Sequence, residues 1–383
     1  MQFVNSLNSW LKIKFMKITS VEIYKFNVPL KEPFVIAIET ITNAESILLK
    51  INTDSGIYGL GECNPYRSIA GETQETCFEI AQFLAKILRG GNPIAINNRL
   101  AEMDKMVAGN RCIKSAFDMA LYDIAAKAAN MPLYAFLGGE NNRIVETDMT
   151  VGINTPEYMA ASALRFKNEG FPAIKVKLGR NKNDDVARIK AIRQAIGDTM
   201  PLRIDANQGW DEATAIATLN ALAQYDIEHC EQPVSARNIT ALANVKRHSP
   251  IPIMADEAVF DHFDALNLIR HNACHYFNIK LSKSGGIHNA LKINAIAESA
   301  GIKCQVGCFS ETRLAMSALM HFILACPNVV HFDMDAPLML SSDPIRGGVQ
   351  YGEKGTVFIG NDIGIGADID GDFLKDLKKK VIA

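Results

Sequence analysis

The sequence predicts an α/β fold: a TIM-type barrel with a second, α+β domain beside it. Three observations carry that prediction. Charged landmarks recur at steps of 24 to 28 residues, at Lys177, Asp205, Glu231, Asp256 and Lys280, and each step suits one strand, one helix and two connections. Each landmark closes a short apolar run (AIKVK, PLRID, IEHCE, IPIMAD, YFNIK), which places it at the C-terminal end of a parallel strand, where barrel enzymes hold their active sites. The third is length: 383 residues exceed a barrel of roughly 200 to 250 and leave chain for another domain.

Taken in order, residues 1–15 lack a continuous apolar segment and a small-residue cleavage site, and are expected to be a disordered extension, not a secretory signal. From Met16, MKITSVEIYKFNVPL alternates as a strand does. With ESILLKINT and a turn at Asp54-Ser55-Gly56 it predicts an antiparallel meander to about residue 62. Helices are expected over 73–89 and 110–136, where apolar residues recur every three or four positions; Gly138-Gly139 stops the second. Strand–helix alternation then runs from about Glu146 to Asp335. The tail, with Gly347-Gly348, a strand near 356–359 and a Lys-rich final helix, has no place in a barrel and is expected to return to the first domain. The expected partition is an extension over 1–15, an N-terminal domain over 16–140, a barrel over 141–342 and a returning tail over 343–383.

Composition narrows the partners. Lys+Arg 40 against Asp+Glu 42 gives a net charge of −2, and no long basic run points to nucleic acid or an anionic membrane. No apolar run approaches the ~18 residues of a membrane span. A small-molecule partner is the remaining expectation. The eight cysteines are scattered without a CxxC pair and read as reduced core residues of a cytoplasmic protein.

The carboxylates of Asp205, Glu231 and Asp256 each follow apolar strand residues, where a charge is costly unless paired or bound to metal. One such residue is ordinarily a structural ion pair. Three in successive units instead suggest a divalent cation, and an all-oxygen set favours Mg²⁺, with Mn²⁺ as a substitute. Zinc would call for His or Cys, and the eight histidines show no ligand spacing. Lys175 and Lys177 are two apart on a strand and so share the interior face. Two ammonium groups beside a dication should disfavour protonation and lower a lysine toward the range of a general base. Lys280 stands across the barrel, able to serve the opposite face of one carbon.

Together these residues resemble the enolase superfamily, in its muconate-lactonizing subgroup: Lys175-x-Lys177, the Asp205/Glu231/Asp256 set and Lys280 within NIKLSKSGG. The resemblance covers the chain from about Met16 to the tail. It implies a modified (β/α)7β barrel under an α+β capping domain, with a shared step in which the proton α to a carboxylate is removed and the enediolate is stabilised by Mg²⁺. Lys177 and Lys280 would be the two bases, with Lys175 at the substrate. The eighth strand ends in Asp333-Met-Asp335, whose carboxylates share a face by period-two alternation; resemblance to dipeptide epimerases implies that this pair holds the substrate's α-ammonium. Thr150, Cys308 and Ser310 are implied as further substrate contacts, with Asn207 and Glu311 in support. Where Ala-Glu epimerases carry an Arg in the loop after the first strand, this sequence has Glu39, a departure expected to repel an acidic side chain. The expected activity is therefore epimerisation of D-Ala-D-Ala and D-Ala-L-Ala, or another neutral dipeptide, by a homo-oligomer. L-Ala-D/L-Glu epimerase, o-succinylbenzoate synthase and N-acylamino acid racemase are the alternatives.

Overall fold

The computed structural model describes residues 16–383; the extension expected over 1–15 lies outside them. β1 (Ile18–Val35), β2 (Thr40–Thr53) and β3 (Tyr58–Cys63) form an antiparallel meander. Its inward row, including Val21, Ile23, Leu49 and Ile51, is buried against helices Gln74–Leu88 and Arg111–Ala128. Gly59 and Gly61 let the second helix lie close on β3, because a Cβ at either would meet the carbonyl oxygen of Ala120 or Ala116. The helix expected over 110–136 is interrupted. Asn130 takes a left-handed φ of 56° and Pro132 cannot continue a helix, so the chain restarts at Leu133–Phe136. The helix Ile96–Met106 was not anticipated.

After a two-residue strand β4 (Val145–Glu146) come eight parallel strands: β5 (Met149–Val151), β6 (Ile174–Lys177), β7 (Leu202–Asp205), β8 (Ile227–Glu231), β9 (Ile253–Ala255), β10 (Tyr276–Ile279), β11 (Lys303–Val306) and β12 (Val329–Phe332). They lie side by side in sequence order, and the edges meet where the Asp148 N–H donates to the Phe332 carbonyl (3.2 Å). Outer helices follow the first seven, which makes the barrel (β/α)7β. Six of these helices are capped by their own preceding residue: Thr155, Asn181, Asp211, Asn238, Asp261 and Thr312 each accept a first-turn N–H. The seventh, Ile287–Ser299, starts at Gly286 without a capping side chain. Asp118 of the N-terminal region supplies the acceptor instead, taking the Ile287 N–H at 2.5 Å and the His288 N–H at 3.3 Å. Glu62 does likewise for helix Arg313–Ala325, accepting from the Thr312 N–H (2.9 Å) and hydroxyl (2.6 Å) and the Ala315 N–H (3.2 Å).

The tail adds short pairings. β13 (Ile345–Gly347) meets β16 (Ala367–Ile369), and β14 (Gln350–Tyr351) with β15 (Thr356–Phe358) extends β4. The Lys-rich terminus expected as a helix is instead a strand, β17 (Lys378–Ile382), antiparallel beside β1. Pairing with an open edge outweighs the helical preference of lysine. Among the described residues no helix is long and apolar enough to cross a membrane.

Candidate active site

Alternate residues of each barrel strand point inward, and the inward residues at the C-terminal ends are the charged landmarks. Lys175 and Lys177 leave β6 on the same side: both reach Asp205 Oδ2, at 3.6 and 2.5 Å. Lys175 also contacts Glu231 (2.8 Å) and Asp333 (2.7 Å). Across the barrel Lys280 pairs with Asp256 Oδ2 at 2.8 Å, and Lys283 with Oδ1 at 2.7 Å. Lys175, Lys177, Asp205, Glu231, Asp256, Lys280, Lys283 and Asp333 are all buried.

Neutral groups orient the carboxylates. The Asn207 N–H donates to Asp205 (2.8 Å), while the side chains of Asn278 and Gln305 donate to Glu231 (2.8 and 3.1 Å). Glu311 accepts from the Ser282 hydroxyl at 2.7 Å. Asn278, Gln305 and Lys283 were not anticipated. Asn278 was legible, because it lies two residues before Lys280 and must share its face.

Lys175 and Lys280 are held as ammonium groups by the carboxylates around them. Burial works against the charge on Lys175, but Asp333, Glu231 and Asp205 outweigh it and hold the ammonium well above its usual range. Burial is likewise outweighed at Lys280, chiefly by Asp256 and Glu231.

For a metal, the donors are the carboxylates of Asp205, Glu231 and Asp256. Around them the buried Asn207 Oδ1 and Glu257 Oε2 lack partners, while the Asp256 oxygens are met by the ammonium groups of Lys280 and Lys283. This all-oxygen set, without His or Cys, fits Mg²⁺. It is more open than the two compact groups of possible ligands among the described residues, each with atoms within 4.8 Å of one another: Cys308/Asp333/Asp335 and Glu228/His229/His331. Folding thus joins two histidines that show no ligand spacing in sequence. Arg203 stands among them, 2.8 Å from Glu228 and 3.2 Å from His331 Nδ1, and this fixed positive charge opposes a metal there.

Above the carboxylates lies a cavity lined by Thr150, Lys177, Cys308, Ser310, Asp333 and Asp335 on its polar side and by Leu30, Phe34, Phe309, Met339 and Leu340 on its apolar side. The two aspartates differ. Burial opposes the charge on Asp333, but Lys175 and Lys177 hold it below the usual range. Asp335 accepts from the Thr150 N–H (2.8 Å) and the Cys308 thiol, and burial, then Asp333, push its carboxyl up to about 7. Asp335 is the carboxylate open to an incoming cation. Glu39 does not line this cavity: its oxygens are held by Arg67 (2.9 Å) and the Ser68 hydroxyl (2.6 Å). From β1 the residues that face the cavity are Leu30 and Phe34.

A barrel that gathers opposed lysines around oxygen ligands, under a sheet-and-helix cap, defines an enolase-type acid–base site. The chain belongs to the enolase superfamily: residues 18–138 match the mandelate racemase/muconate lactonizing enzyme N-terminal domain, and residues 158–373 the enolase C-terminal domain-like family. It is similar to a D-Ala-D/L-Ala epimerase of Cytophaga hutchinsonii, 48% identical over 364 residues, 95% of this chain and 99% of that one. A hydrophobic dipeptide epimerase of Enterococcus faecalis is 41% identical, over 92% of this chain and 99% of the relative. A crystal structure of the Cytophaga hutchinsonii dipeptide epimerase, complexed with Mg and D-Ala-L-Val, superposes with a TM-score of 0.95 at 48% identity, covering 96% of this chain and 100% of that one. The protein is accordingly an isomerase of the racemase and epimerase class.

Proposed function

We propose that the protein is a dipeptide epimerase that inverts the α-carbon of the C-terminal residue by 1,1-proton transfer, acting on D-Ala-D-Ala and D-Ala-L-Ala or a similar neutral dipeptide. The observation that carries this reading is that Lys177 and Asp335 line one cavity, so a group that takes an α-proton and a group that holds an ammonium serve the same ligand. In this reading Asp335, with Asp333, anchors the substrate's α-ammonium. Lys177, as the free amine, takes the α-proton from one face, and the Lys280 ammonium returns a proton to the other; the reverse direction exchanges their roles. Lys175 meets the substrate carboxylate side. Asp205, Glu231 and Asp256 would hold Mg²⁺, or Mn²⁺ in its place, and the ion supplies the positive charge that the enediolate oxygens need.

Neutral side chains are favoured by the apolar wall of Leu30, Phe34, Phe309, Met339 and Leu340. Among the described residues no cation but Lys177 lines the cavity, so an acidic second residue finds no further partner among them. This replaces the expected repulsion by Glu39. The eight buried, unpaired cysteines support a cytoplasmic location. The capping sheet, closed by β17, supports a partition with 16–140 as the capping domain, 141–342 as the barrel and 343–383 as the returning tail.

The test is α-deuterium uptake from D₂O, followed by mass spectrometry, for D-Ala-L-Ala, L-Ala-L-Glu and N-acetylated D-Ala-L-Ala. Uptake by the first should dominate, stop with EDTA and return with Mg²⁺. Preference for Ala-Glu contradicts the substrate assignment, and activity that survives exhaustive chelation contradicts the enediolate mechanism.

A further inference from the structure

Lys280 is touched by an aromatic ring from outside its own strand. We infer that Phe309 is a positioning residue, whose ring, backed by Tyr66 of the capping region, fixes the Lys280 ammonium over one face of the substrate. The inference rests on the dipeptide-epimerase reading.

The Lys280 Nζ stands 5.0 Å from the centroid of the Phe309 ring, close enough for attraction to the negative face of the π-system. Its stem runs past Gly307, where an added Cβ would come within 3.0 Å of Lys280 Cε. Asp256 holds the ammonium at 2.8 Å. The lysine is thus confined by a carboxylate, a glycine and a ring, and the glycine and the ring both belong to the loop after β11 that lines the cavity.

That ring is itself held on two sides. Tyr66 stacks on it, with centroids 4.9 Å apart and planes 22° from parallel. Tyr66 is buried in a small apolar cluster with Ile36 and Ile41, against which Leu30 and Phe34 pack. From below, the Phe309 N–H donates to Glu311 at 2.5 Å, and the other Glu311 oxygen accepts from Ser282, two residues past Lys280. The capping region therefore reaches Lys280 through two stacked rings. Among the described residues no ring faces Lys177 in this way; its ammonium lies against Asp205. The effect should fall on one face of the substrate alone.

Phe309→Leu keeps apolar bulk and removes the ring. Initial α-deuterium uptake would be compared for D-Ala-L-Ala and D-Ala-D-Ala, with Lys280→Ala identifying the epimer whose proton Lys280 takes. Relative to the other epimer, Phe309→Leu should slow uptake from that epimer roughly 3- to 30-fold, the rate equivalent of a lost cation–π contact, in kcat more than in KM. Phe309→Trp should restore most of the loss. Tyr66→Leu, which does not touch the lysine, should give a smaller loss on the same epimer. Equal slowing of both epimers, or no slowing in Phe309→Leu while the wild type exchanges normally, overturns the inference. A wild type that exchanges no dipeptide overturns the epimerase reading, and this inference with it.

Discussion

Lys177 and Lys280 stand on strands from opposite sides of the barrel, and their chemistry depends on what lies between them. If each serves one face, Lys177→Ala and Lys280→Ala should both abolish net epimerisation, while Lys280→Ala keeps α-proton exchange with one epimer. By family analogy Lys177 would act on the (R) and Lys280 on the (S) substrate. Polarimetry and deuterium exchange on the two variants check this, and full turnover by either removes the two-base assignment. In the proposed reading Asp335 anchors the substrate's ammonium. Asp335→Asn should raise KM for dipeptides about ten- to a hundredfold, the value of a charged hydrogen bond. Because its carboxyl is raised to about 7, it is protonated as pH falls through that value and loses the charge that pairs with an ammonium. KM should therefore rise from pH about 8 to about 6 in the wild type, and Asp335→Asn should lack that rise. The charged residues were legible because a charge at an apolar strand end needs a reason. The engagement of Glu39 by Arg67 and Ser68 was not legible, because sequence does not show that they lie beside it.

At the scale of elements, the capping and barrel regions are joined through helix termini. Asp118 stands where Ile287–Ser299 lacks its own cap, and Gly286 leaves room for it: a Cβ there would overlap the Asp118 carboxyl, on a residue with φ of 106°. Gly286→Ala should cost about 2 to 4 kcal/mol from strain and overlap, seen as a fall in thermal midpoint. Burial raises the Asp118 carboxyl to about 8, against the pull of the Ile287 and His288 N–H groups. Between its unfolded pKa of about 4 and that value, the folded chain binds the extra proton. The Asp118 contribution is thus complete below pH about 4 and lost as pH rises through about 8. Asp118→Asn keeps an acceptor and does not titrate, so its stability should decline less over that window in urea unfolding. Neither carboxylate cap was visible in sequence: Asp118 lies 169 positions from Ile287 and Glu62 lies 250 from Thr312.

Over the whole molecule, the two ends of the described chain meet in one sheet. Residues Val21 to Lys25 of β1 pair with Ile382 to Lys378 of β17, so removal of 378–383 exposes a strand edge. The truncated protein should melt earlier and associate more readily, as read by calorimetry and light scattering; an unchanged thermal midpoint would mean that β17 adds nothing to the sheet.

The barrel could be read from sequence because its information is local and periodic. Each strand must carry its apolar run and its inward charge within a few residues, and the repeat of about 25 residues places Lys177, Asp205, Glu231, Asp256 and Lys280 in one ring whatever the rest of the chain does. The terminal strand, the capping of Ile287–Ser299 by Asp118, the engagement of Glu39 and the stack of Tyr66 on Phe309 needed the tertiary structure. Each is a contact between residues far apart in the chain, where local preference is neutral or points elsewhere and the decision belongs to whichever partner fills an open edge, an orphan N–H or an exposed ring.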